Sequence, residues 1–110
     1  MAEISQETEQ KISQLQLYEQ GLQSILAQKQ QFQSQSVEID SALKELELTD
    51  QAYKIVGNII VASKKEVLKK DLESKKETTN LRVKTLEKQE DQIRDKAKKI
   101  QEEVSKNIEK

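Results

Sequence analysis

The sequence predicts a mainly α protein, a long antiparallel two-helix coiled coil whose helices are joined by a central β-hairpin. Three observations carry that prediction. The composition is 35% charged and 3% aromatic with no proline, the profile of long amphipathic helices rather than of a chain that buries one large core. Apolar residues recur at heptad spacing on both sides of the chain's midpoint. At the midpoint itself, Tyr53-Lys54-Ile55-Val56-Gly57-Asn58-Ile59-Ile60-Val61 leaves that period for β-branched residues around a turn dipeptide.

The first helix is predicted over about residues 4–48. Leu15, Leu22, Lys29, Ser36 and Leu43 form one heptad column, and Tyr18, Ile25, Phe32, Ile39 and Leu46 form the other. Two columns make a narrow apolar seam, so the helix needs a partner to cover it. Glutamines crowd its outer face, which leaves the seam to set register.

The hairpin is predicted over about residues 52–62. Gly57-Asn58 suits a type II′ turn, because glycine accepts the positive φ required at the first central position. Centring the turn there pairs Val56 with Ile59, Ile55 with Ile60, Lys54 with Val61 and Tyr53 with Ala62. Tyr53, Ile55, Ile60 and Ala62 then share one face, while Val56, Ile59 and Val61 share the other with Lys54. Neither face is properly polar, and an isolated two-stranded hairpin is marginal in water. The strip therefore reads as a surface that joins other chains. The competing reading is a hairpin that merely caps the end of its own coiled coil.

The second helix is predicted over about residues 64–108. Ser63-Lys64-Lys65-Glu66 fits a capping box, and Glu90 with Arg94 is among several (i, i+4) ion pairs in the favourable order. Its columns are Leu72, Thr79, Leu86, Ile93, Ile100 and Lys69, Lys76, Val83, Glu90, Ala97, Val104. Extending the hairpin's mirror along the chain sets Leu43 against Leu72, Phe32 against Val83, Leu22 against Ile93, Tyr18 against Ala97 and Leu15 against Ile100. Columns assigned without reference to the turn thus agree with it, which favours an intramolecular helical hairpin. Ser36 would meet Thr79 in a small polar layer. Lys29 and Glu90 fall in adjacent layers, where they either form a partly buried ion pair that fixes coiled-coil register or snorkel outward.

Composition also limits function. With no cysteine and no histidine, the chain lacks a thiolate nucleophile, the commonest general base and the commonest metal ligand. No nucleotide loop or catalytic constellation is present, so no catalytic, cofactor or metal site is predicted and an enzyme is not. Met1-Ala2-Glu3-Ile4-Ser5 lacks the blocks of a signal peptide, and no apolar run approaches the ~20 residues that span a bilayer. A cytoplasmic protein without a membrane partner is expected. The net charge of −1 conceals a split, since residues 1–56 carry four basic and nine acidic groups while residues 57–110 carry fifteen and eleven. The lysines at 64, 65, 69, 70, 75 and 76 are interspersed with acids and lack neighbouring aromatics. They read as a solvated face, and nucleic acid is not an expected partner.

Helix, central hairpin and helix in 110 residues resemble a prefoldin β-type subunit, particularly the archaeal form. The likeness is carried by Leu22-Gln23-Ser24-Ile25-Leu26-Ala27-Gln28-Lys29-Gln30, by Tyr53 to Val61, and by Arg82-Val83-Lys84-Thr85-Leu86-Glu87-Lys88-Gln89-Glu90. The central stretch is the most specific. The resemblance implies a single prefoldin-like domain over 1–110 and an ATP-independent holdase. In that family four β-type and two α-type subunits join through their hairpins into a β-barrel platform, and coiled-coil tips hold non-native proteins for delivery to a group II chaperonin. A single hairpin between the helices suits the β type. Implied partners are thus an α-type subunit, other β-type subunits, unfolded clients and the chaperonin.

Carried onto this sequence, assembly falls on Tyr53, Ile55, Val56, Gly57, Ile59, Ile60 and Val61. Client binding falls on Ile4, Ile12 and Leu15 of the first helix and on Ile100, Val104 and Ile108 of the second. Leu15 and Ile100 are expected to close the last well-formed layer, with Lys11 opposite Val104 weakening the next so that the ends fray. A structural or scaffolding coiled coil without chaperone activity is the alternative function, but it predicts stable homodimers and gives the apolar hairpin no role.

Overall fold

The computed structural model describes residues 5–109, with side chains as far as Asn107. The described residues form α1 (Gln6–Glu47), β1 (Ala52–Val56), β2 (Ile59–Ser63) and α2 (Lys65–Glu109). The architecture is the predicted one, mainly helical with an antiparallel hairpin between two long helices.

Local chemistry explains where each element starts and stops. Ser5 caps α1: its Oγ accepts from the Thr8 amide at 3.1 Å and its carbonyl accepts from the Glu9 amide at 3.0 Å, which satisfies two donors that a helix start leaves orphaned. At the other end the Leu48 amide donates to the Glu45 carbonyl at 3.1 Å, the tighter i to i+3 pattern of a closing turn. Thr49 Oγ1 then accepts from the Gln51 amide at 3.2 Å and turns the chain into β1.

The two strands pair as predicted from Val56 with Ile59 at the turn to Tyr53 with Ala62, and the ladder runs one pair further, to Ala52 with Ser63. Gly57 has a φ of 61°, and no other described residue has positive φ. A positive angle at the first central position alone is the type II′ pattern. A Cβ at Gly57 would meet nothing within 4 Å, so substitution strains the backbone without a clash. Gly57→Ala is expected to weaken the hairpin by about 1–2 kcal/mol, read as faster amide exchange across residues 52–63 with both helices unchanged.

The predicted capping box does not form as written. Ser63 is held in β2 by its pairing with Ala52, and the first helical acceptor is the Lys64 carbonyl, which receives the Leu68 amide at 3.1 Å. The ladder keeps Ser63 in the strand and shifts the helix start by one residue.

Two parts of the structure are compact in themselves, Gln30–Lys84 and the residues up to Lys29 together with those from Thr85 onward. In the first, Leu46, Ala52 and Thr79 are buried, with Phe32, Ile39, Leu43, Leu72 and Val83 half-buried along the seam. In the second, Ile25, Leu86 and Val104 are buried, with Leu15, Tyr18, Leu22, Ile93, Ala97 and Ile100 half-buried. Gly21 lets Ile93 approach, since the Ile93 Cδ1 lies 3.7 Å from where a Cβ would stand. Lys69 departs from its column. It is exposed and reaches the Glu47 carboxylate at 4.0 Å, because a long amine gains more from solvent and a carboxylate than from the seam.

Candidate functional site

Alternation along two short strands decides the chemistry of the hairpin. Successive side chains point to opposite faces, and here both faces are apolar. Tyr53, Ile55, Val56, Ile59, Ile60 and Val61 are all exposed, from 42% at Val61 to 73% at Ile55. Two further apolar residues flanking the hairpin in sequence are exposed: Leu48 after the end of α1, which lines one groove with Tyr53 and Ile55, and Val67 in the first turn of α2. Neither lies on a heptad column, and Leu48 falls outside regular structure, so periodicity could not mark them. Beneath the hairpin a groove of about 590 Å³ is lined by Leu46, Ala52, Tyr53, Ile55, Leu68 and Leu72 among others. Lys65 and Lys69 brace this region, the former donating to the Glu47 carbonyl at 3.4 Å and the latter facing the Glu47 carboxylate. Both cations thus sit at the negative end of α1.

The seam holds its polar residues by pairing them. Lys29 Nζ lies 3.4 Å from Glu90 Oε2, with the two side chains only 16% and 14% exposed. Glu87 stands 4.0 Å from the same ammonium, and Arg94 reaches the other Glu90 oxygen at 3.1 Å. The structure therefore shows the paired arrangement and not the outward one. The Ser36 hydroxyl donates to Asn80 Oδ1 at 3.4 Å, so its partner is the neighbour of the predicted Thr79, which is itself buried. Lys76 meets Asp40 at 2.6 Å, and the Arg82 guanidinium sits 5.5 Å over the Phe32 ring.

At the helix ends nearest the termini, Ile12, Leu15 and Ile100 are half-buried and Val104 is buried. Ile4 lies outside the described residues, as does the side chain of Ile108. In the layer expected to be weak, Lys11 turns to Glu103 at 3.1 Å and to Glu7 at 3.7 Å. The hydrogen bond to Glu103, with smaller help from both carboxylates' charge, raises the Lys11 pKa above its ordinary 10.5. A raised lysine pKa favours the folded form below the ordinary value and loses that effect only as pH climbs past the raised one, so this pair persists throughout the neutral range.

A family model described as prefoldin subunit matches residues 9–110. The chain belongs to the prefoldin family. It is 36% identical over 107 residues to the prefoldin subunit beta of Archaeoglobus fulgidus, covering 94% of this chain and 92% of that one. It is 37% identical over 107 residues to the prefoldin subunit beta of Pyrococcus furiosus, with the same coverage. The crystal structure of the prefoldin beta subunit from Thermococcus strain KS-1 superposes with a TM-score of 0.89 at 34% identity, over 96% of each chain.

Prefoldin membership gives this chain the role of a chaperone subunit that assembles with other prefoldin subunits. Among the described residues no helix is long and apolar enough to cross a membrane. Within this prefoldin chain, the role proposed for Lys29 and Glu90 in fixing register is open to direct measurement. Lys29→Ala and Glu90→Ala are each expected to cost about 1–2 kcal/mol, with a coupling energy near 1 kcal/mol in a double-mutant cycle by chemical denaturation. Coupling below about 0.3 kcal/mol would remove that role.

Proposed function

We propose that this chain is a subunit of an ATP-independent holdase. Its hairpin joins the hairpins of an α-type subunit and of other β-type subunits into a β-barrel platform, with two α and four β chains in the hexamer. Its helix ends hold non-native proteins and release them to a group II chaperonin. The observation that carries this reading is the hairpin, where six large apolar side chains stand exposed on two short strands. Burying each is worth on the order of 1.5–3 kcal/mol, and the open strand edges supply backbone pairing as well. A cap for its own coiled coil would bury these side chains, not present them.

The test is the mass of the chain alone and mixed with an α-type subunit, followed by aggregation of an unfolded client without ATP. A hexamer that keeps the client soluble supports the proposal. A stable homodimer with no such effect supports the scaffolding alternative. Removing residues 1–10 and 104–110 should abolish aggregation suppression while the hexamer still forms, and full activity after that truncation would move client capture away from the helix ends.

A further inference from the structure

The hairpin holds one formal charge. Its strands contain a single basic residue, Lys54, and no acidic one, and Lys54 stands at the middle of β1 opposite Val61. It is exposed, and among the described residues no carboxylate forms an ion pair with it. The sheet has only these two strands, so each keeps an open edge. In a two-residue hairpin the residues flanking the turn bond to each other, and backbone bonds then fall on alternate pairs. Lys54 therefore bonds inward to Val61, while Tyr53 and Ile55 turn their amides and carbonyls to the open edge of β1. An antiparallel strand added there meets Lys54 as a non-hydrogen-bonded neighbour, with Cα atoms about 4.5 Å apart. Pairing β1 with the same strand of a second copy, with all five residues matched, centres on Lys54 and sets two ammonium groups face to face. The same operation on β2 centres on Val61 and sets valine on valine.

We propose that Lys54 makes the two edges unequal: the β1 edge rejects a second copy of this chain and takes a strand of a different subunit that carries an aspartate or glutamate opposite Lys54. This selectivity rests on the reading that the hairpin joins other chains. Like charges directly opposite each other destabilise a strand pair. An ammonium enclosed beside Val56, Ile59 and Val61 also needs a carboxylate to offset its lost water. Neither strand of this chain supplies one, so the acid comes from a different sequence, that of the α-type subunit.

Sedimentation equilibrium on the full-length chain, alone and with an α-type subunit, tests the role of Lys54. Lys54→Met keeps the stem without the charge, and Lys54→Glu reverses it. Because Lys54 is exposed in the single chain, both variants should keep its helicity. Lys54→Met is expected to tighten self-association roughly tenfold and to loosen assembly with the α-type subunit by a similar factor. Lys54→Glu is expected to weaken that assembly about a hundredfold, yet to bind the wild-type chain roughly tenfold more tightly than either binds itself. Self-association of Lys54→Met at wild-type strength would overturn the rejection of a second copy. Assembly of Lys54→Glu with the α-type subunit at wild-type strength would overturn the facing carboxylate. The underlying reading is tested apart by a variant with Ile55→Lys and Ile60→Glu. Its assembly at wild-type concentrations would remove the hairpin as the joining surface, whereas its failure to assemble beside unaltered Lys54 variants would remove the role of Lys54 alone.

Discussion

Replacing Ile55 with Lys and Ile60 with Glu is expected to abolish assembly while leaving the free chain as stable and as helical as before. The two residues face each other across the hairpin, so the new charges form a favourable cross-strand pair and the turn is retained. Both are exposed in the single chain, so their replacement removes no packing there and should alter its melting by no more than about 0.5 kcal/mol. In an assembly the same positions would be buried against neighbouring hairpins. Losing two isoleucine contacts and burying two charges should weaken association on the order of a thousandfold or more. Light scattering of the double variant with an α-type subunit reads this directly. A hexamer formed at wild-type concentrations would show that the hairpin face is not the joining surface.

Leu86→Ala should do the opposite, destabilising the coiled coil while leaving the hairpin intact. Leu86 is 8% exposed, and among the described apolar side chains in its part of the molecule only Ile25, at 6%, is more enclosed. Truncating a buried leucine forfeits its transfer energy and leaves a cavity, about 2–4 kcal/mol in all. For a chain this small that lowers the melting temperature by roughly 10 °C or more. Val37, exposed on α1, is the control, and its alanine variant should melt within about 2 °C of the parent. Equal melting of the two variants would mean that the heptad columns do not carry the helix pairing.

Much of this was legible in the sequence because two periodic signals agreed. Every heptad-column residue except Lys69 is buried or half-buried, and Gly57-Asn58 centres the strand register that the structure shows. Lys29 and Glu90 could be placed near each other but not oriented, because a long side chain can either pair or snorkel, and the packing around it chooses. What escaped was local. Ser63 could cap a helix or end a strand, and the ladder decided. Leu48 and Val67 are exposed on either side of the hairpin at positions that no period marks. The burial of Thr8 and the turn of Lys11 toward Glu103 depend on how the helix ends close, and there an apolar pattern of isoleucines and valines read as loose.

The two-stranded sheet has a consequence for the life of the chain before it finds partners. Each newly made copy carries two unsatisfied strand edges between apolar faces, so copies in excess of their complement can pair with one another. Made alone at high concentration, the chain is therefore expected to associate with itself through the hairpin.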